Sequence, residues 1–296
     1  MKKSFYYILL LVSLALKGQD LKSRADENYQ SQDWKKAEVN YSKYLKTNPQ
    51  DSSAWYRLAY SQLQLGTLDK ALKNFDQAYQ GNFFPAYTLY QKSKAYALRG
   101  EEEKMYQTLN EAVKRGFSNF KILESEKEWA DSRESNTFLE VIQLTKENAF
   151  PCLTDSVRRH FDFWIGDWDV LVNGQKVGEN IITLAEGGCA IHESYTTAGI
   201  FSGQSINYYN PLDRKWHQTW VASGGNVLDY TEIDREPGMI QFLADYLNPT
   251  GQVVQSRLTF IANEDGSVRQ LFENSTDGGT TWVAGFDGHY VKKFTD

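Results

Sequence analysis

The 296-residue sequence lacks the motifs on which most catalysis rests. It contains neither a Gly-x-Ser-x-Gly nucleophile elbow nor a Gly-x4-Gly-Lys-Ser/Thr phosphate loop, so nucleophile sets built on serine, cysteine or histidine, and phosphate cradles, have nothing to start from. His160, His217 and His289 are scattered with no carboxylate or cysteine at metal-ligand spacing, so no metal site is expected. No run of lysine or arginine is interleaved with aromatics, and the formal net charge is −6. A nucleic-acid or anionic-membrane partner is therefore not expected. What is present, 41% hydrophobic and 24% charged residues, suffices for two ordinary cores and excludes disorder over most of the chain.

Long apolar runs are also missing. The longest, Phe5 to Leu16, follows Lys2 and Lys3 and gives way to polar residues at Lys17. It is too short to span a bilayer and reads as an export signal over residues 1–19, cut near Gly18 or Gln19; an uncleaved anchor is the alternative. No cysteine stands near the cut, so a lipid-anchored start has no support. The expected location is periplasmic or secreted. There the two cysteines, Cys152 and Cys189, meet an oxidising compartment and can pair, closing a loop worth roughly 3–4 kcal/mol; two inert buried thiols are the other reading.

Composition changes near residue 150. Before it lie five of the 21 glycines and no histidine; after it come the other sixteen glycines and all four histidines. Pro151 biases its predecessor out of helix, so the last helix should end near Asn148. In the first half, Ala25, Ala37 and Tyr41 are followed 34 residues later by Ala59, Ala71 and Phe75, and a third unit keeps Leu89, Tyr96, Leu109 and Ala112. This spacing resembles the tetratricopeptide repeat, TPR, over about residues 20 to 119. The segment from Phe120 to Asn148, with Leu123, Trp129, Phe138 and Leu139, has the make-up of capping helices, giving a helical repeat domain over 20–148. The resemblance implies a concave face that holds a protein or peptide; the alternative is that three repeats merely support the second domain.

From Asp167 the apolar period falls to two, and turn residues recur about every dozen positions. About ten strands fit, from Trp168 to Lys292. Closure into an antiparallel β-barrel over 152–294 hides their edges, with a sandwich as the alternative. The fold class is thus α+β, an all-α solenoid followed by a β-barrel. FDFWIGDWDV at 161–170, GGCAIHE at 187–193, INYYN at 206–210, WHQTWV at 216–221, VRQLFENS at 268–275 and FDGHY at 286–290 together resemble a bacterial lipocalin-like barrel family of uncharacterised function. That resemblance implies a calycin-type barrel with a cavity and no agreed reaction. Ser275 to Trp282 matches the Asp-box pattern Ser-x-Asp-x-Gly-x-Thr-Trp, read here as a hairpin staple because a propeller would carry several.

Strand alternation puts Trp216, Gln218 and Trp220 on one face, Ser205, Asn207 and Tyr209 on another, Arg257 with Thr259, and Arg269 with Glu273. Polar residues repeated at this period among tryptophans can line a wet, partly aromatic pocket. The candidate ligand-binding residues are Glu193, Asn207, Trp216, Gln218, Trp220, Arg257 and Arg269, with Glu193 assigned inward from the family pattern and the arginines as holders of an anion. Each can instead face solvent, and Arg269 can pair with Glu273 there. The expected function is a non-enzymatic carrier of a small, partly apolar molecule with a docking module. The alternatives are an enzyme using Glu193 or Glu273 for proton transfer, and a purely structural envelope component. No cofactor is expected; a haem on a single histidine stays open as an alternative.

Overall fold

The computed structural model describes residues 20–293; the expected export signal at 1–19 lies outside them. The chain divides between Ala149 and Phe150 into two compact units. In the first, α1 (residues 20–30), α2 (Trp34–Tyr44), α3 (Ser52–Gln64), α4 (Leu68–Gln80), α5 (Pro85–Leu98) and α6 (Glu102–Lys114) follow one another as three helical hairpins. Their period is visible in burial: positions 25, 59 and 93 hold Ala, Ala and Ser, and positions 37, 71 and 105 hold Ala, Ala and Met, all buried. The alanines and Ser93 let the two helices of a hairpin cross closely, Met105 takes the alanine's place in the third hairpin, and Tyr41, Phe75 and Leu109 fill the space between. The turn inside each hairpin needs one left-handed residue, supplied by Gly66 at φ +71° and Gly100 at φ +72°, and by Gln32 at the equivalent place in the first repeat.

Helix starts are equally local. Asp33 and Asp51 cap α2 and α3 by accepting the amide hydrogens of Lys36 and Ala54, and Pro85 opens α5, where its missing N–H costs nothing. Past α6 the array is closed by α7 (Phe120–Ser125), a single 3-10 turn at Lys127–Trp129, and α8 (Asn136–Ala149). Trp129 and Phe138 are wholly buried, against Tyr90 and Phe117, whose rings stack at 4.6 Å. These residues cover the apolar side that the last repeat would otherwise expose.

The second unit is a closed ten-stranded barrel in which each strand pairs antiparallel with its sequence neighbours and β1 pairs with β10. The strands are β1 (Gly166–Val172), β2 (Gln175–Ala185), β3 (Ala190–Thr197), β4 (Ser202–Asn210), β5 (Lys215–Ala222), β6 (Val227–Glu236), β7 (Met239–Leu247), β8 (Val253–Ala262), β9 (Val268–Ser275) and β10 (Val283–Lys292). Closure leaves no strand edge, so the sandwich alternative is set aside. The Asp-box residues form the β9–β10 turn. Asp277 accepts from the Thr281 amide at 2.9 Å, Gly279 takes φ +84°, and the Trp282 indole donates to Gly279 O at 3.0 Å.

One half of the interior is filled by the segment that leads into β1. A 3-10 turn at Asp162–Trp164 carries Phe161 and Trp164 into the barrel, where their rings stack at 5.0 Å. Phe260 packs against both, at 4.9 and 4.6 Å, with Phe242 and Trp216 around Phe161. Upstream, a disulfide joins Cys152 to Cys189 with their Cα atoms 4.9 Å apart, tying this incoming segment to the residue before β3. Arg159 adds a hydrogen bond to Gly188 O in the same corner.

Candidate ligand cavity

The half of the barrel beyond the aromatic plug is open space, a cavity of about 450 Å³. Period-two alternation delivers its lining: Glu193, Tyr195 and Thr197 from β3, Gln218 and Trp220 from β5, Leu228 and Tyr230 from β6, Leu258 from β8, Gln270 and Phe272 from β9, Phe286 and Tyr290 from β10. Phe201, at the β3–β4 turn, also lines the cavity and is 45% exposed, which marks the mouth. The volume lies within the usual range for small-molecule sites, and the wall is mostly apolar with a few placed polar groups, as such sites are.

Those polar groups form one network. Asn180 Nδ2 donates to Glu193 Oε1 at 2.7 Å and Ser205 Oγ donates to Glu193 Oε2 at 2.6 Å. Asn207 Nδ2 donates to Ser205 Oγ at 2.9 Å and to Ile191 O at 3.2 Å, and Gln218 Nε2 donates to Asn207 Oδ1 at 2.7 Å. Across the cavity the Tyr290 hydroxyl donates to Gln270 Oε1, and the Tyr230 hydroxyl pairs with Ser256 Oγ at 2.7 Å. Burial pushes the Glu193 carboxyl up to about 7, while the hydrogen bonds from Ser205 and Asn180 pull the other way. Burial likewise raises the Tyr195 and Tyr290 hydroxyls, so both stay neutral at ordinary pH.

Of the sequence-derived candidates, Glu193, Asn207, Trp216, Gln218 and Trp220 come together inside the barrel. Glu193, Gln218 and Trp220 touch the cavity; Trp216 lies deeper, in the plug, and Asn207 holds the network from behind. Arg257, Arg269 and Glu273 do not join them. Their strands present Leu258, Gln270 and Phe272 inward, so the odd-numbered neighbours point out. Arg257 pairs with Glu273 at 2.8 Å and lies 4.2 Å over the Trp282 ring, and Arg269 makes a two-pronged bond with Asp287. The anion-holding role assigned to these arginines, and the catalytic role assigned to Glu273, are therefore corrected: their charges are spent on one another outside the barrel.

None of the four histidines lines the cavity. His192 meets Gln204, His217 meets Asp213, His160 bonds Met239 O, and His289 pairs in register with Arg269 on the outward side of β10. Among the described residues, no three His, Cys, Asp or Glu side chains cluster as metal ligands, and no helix is long and apolar enough to cross a membrane. Sequence reasoning missed Tyr195, Tyr230, Gln270, Phe272, Phe286 and Tyr290. Their shared parity with neighbouring inward residues was the available signal.

No protein-family model and no curated protein sequence matches the chain. It is similar to several solved structures. One is described as the TPR2B domain in a pHsp70 complex of yeast Sti1, at 17% identity and TM-score 0.32 over 45% of this chain and 97% of that one. Another is MamA, at 13% identity and TM-score 0.40 over 48% of this chain and 84% of that one. A third is a TPR repeats protein from Bacteroides fragilis, at 23% identity and TM-score 0.33 over 45% of this chain and 61% of that one.

Proposed function

We propose that this is an exported carrier: the barrel takes up a small, partly apolar molecule, and the TPR-like helical half docks a protein partner. The observation that carries the reading is the cavity itself. A cavity of about 450 Å³ faced by apolar and aromatic side chains is costly for a core that only had to be stable, because interiors otherwise close to crystal-like density. The Cys152–Cys189 disulfide supports export, since such bonds persist in oxidising compartments. Three hairpins with a capped end support docking, because an array of this kind stacks repeats into an extended concave surface. The barrel's strand order and the motif set from Phe161 to Tyr290 also support its grouping with bacterial lipocalin-like barrels.

The enzyme alternative keeps one residue. With Glu273 outside, Glu193 is the carboxyl that could move a proton inside the cavity, and no second titratable group of suitable range lines it. The carrier reading is tested by native mass spectrometry of the full chain purified from its own compartment. The expected result is a retained small molecule, or saturable uptake of an added apolar probe that quenches tryptophan fluorescence. A consistently empty barrel that also takes up no probe overturns it.

A further inference from the structure

We propose that the cavity selects a cationic ligand, an amine carried on an apolar body, with Glu193 as its counterion and the surrounding aromatic rings as its cage. This rests on the carrier reading above and names the class of cargo. Three observations converge on it.

The first is the sign of the wall. Glu193 is the single charged side chain lining the cavity among the described residues; no lysine, arginine, histidine or aspartate lines it. A buried carboxylate without a cation is an expensive feature, and cores normally replace it or pair it. Here the arginines that could pair with it face the other way. An anionic ligand, such as a fatty-acid carboxylate, would meet like charge and no donor fork.

The second is the direction of the hydrogen bonds. Ile191 O can only accept, so it fixes Asn207 with its amide nitrogen toward β3 and its oxygen toward Gln218. The donors then run one way, Gln218 to Asn207 to Ser205 to Glu193, and Asn180 adds a second donor from β2. Every dipole in this chain stabilises negative charge on Glu193. A wall meant to present a protonated acid to a neutral carbonyl would need an acceptor for one of these groups instead.

The third is the ring content. Tyr195, Trp220, Tyr230, Phe272, Phe286 and Tyr290 face the space beside Glu193. Ring faces attract a desolvated cation, and they serve the apolar body of the same ligand equally well. Carboxylate and aromatic cage together reward a positive head group over a neutral one of the same shape.

The groups facing Glu193 settle how binding responds to pH. From β2 comes Asn180, from β4 Ser205, from β5 Gln218 and from β9 Gln270, none of which titrates. Tyr195 and Tyr290 are held neutral by burial. Glu193 alone therefore changes charge near neutrality, and an amine should bind its ionised form, with affinity rising with pH.

The test is calorimetric titration of the full chain with three matched probes, phenylbutylamine, phenylbutanol and phenylbutanoate, on wild type and Glu193→Gln. The amine is expected to bind at least about tenfold tighter than the alcohol and the acid to bind weakest, with the preference for amine over alcohol abolished in Glu193→Gln. On wild type alone, amine affinity should rise about tenfold between roughly pH 6 and pH 8, while alcohol affinity does not rise. Alcohol binding as tight as amine binding, or an amine preference that survives Glu193→Gln or shows no pH dependence, overturns the amine assignment and leaves the carrier reading standing. Failure of all three probes to bind overturns the amine assignment, and together with a barrel empty in native mass spectrometry it overturns the carrier reading as well.

Discussion

Replacing Glu193 by glutamine should make the protein more stable at alkaline pH, although the residue sits in its binding cavity. The folded-state carboxyl titrates near 7 against an ordinary value of 4.5. At about 1.36 kcal/mol per pKa unit, that difference is a penalty of roughly 3 kcal/mol for holding the ionised form inside. Because the folded pKa is the higher one, the folded state keeps a proton between the two values that the unfolded chain has released. Stability therefore falls as pH rises through that window, and the penalty is complete above about pH 7. Glutamine keeps the shape and removes the charge, at a cost of about 1 kcal/mol where its amide meets the donor from Ser205 or Asn180. From about pH 5 to about pH 8 the wild type should lose roughly 2–3 kcal/mol relative to Glu193→Gln. Urea unfolding of both proteins at the two pH values, followed by tryptophan fluorescence, measures this. Five of the eight tryptophans lie after Phe150, and any contribution from the helical half cancels in the comparison. Parallel pH profiles for the two proteins would refute the reasoning, because Glu193 would then have the same affinity for protons folded and unfolded.

Other perturbations probe the disulfide, the aromatic plug and the outer wall of the barrel. Substituting both Cys152 and Cys189 with serine should cost the barrel roughly 4 kcal/mol from the 37-residue loop, read as a lower melting temperature that reductant reproduces in the wild type. Trp164→Ala should cost about 3–5 kcal/mol, because it opens the plug against Phe161 and Phe260; urea melts would show it as a lower midpoint. A Cβ at Gly203 would sit 2.2 Å from the Trp220 ring, so Gly203→Ala should push that ring toward the cavity, at about 1–3 kcal/mol of strain, and weaken probe binding in calorimetry. Arg257→Ala and Arg269→Ala should leave probe affinity unchanged, since both pairs lie on the outer wall, and each should cost no more than about 1 kcal/mol in a thermal melt.

The sequence spoke most clearly where one physical constraint acted alone. The 34-residue return of Ala25 and Ala59, and of Ala37 and Ala71, marks helix crossings that favour small side chains, and the aromatics Tyr41 and Phe75 keep the same spacing. Strand positions were also legible, because Met239–Leu247 carries period two between firm turn signals. Which face turns inward was legible on β5, where Trp216, Gln218 and Trp220 alternate with His217, Thr219 and Val221. It was not on β8 and β9. There both faces mix polar and apolar residues, because the cavity side needs Gln270 and the outer side hides Leu271 and Thr259 among neighbours. The deciding fact was cross-strand register, which sets Arg257 opposite Glu273 and so accounts for both charges outside the barrel. The plug was hidden for another reason: Phe161 and Trp164 precede the first strand and carry no periodicity of their own.

A crystal structure of the protein grown with phenylbutylamine tests directly whether Glu193 meets a positive charge within the barrel. The expected result is density in the space bounded by Trp220, Phe272 and Phe286, with the amine nitrogen within about 3 Å of a Glu193 carboxylate oxygen. An amine bound in the reverse orientation, its nitrogen toward Phe201 and the mouth and its ring against Glu193, would contradict it, as would a cavity holding only ordered water.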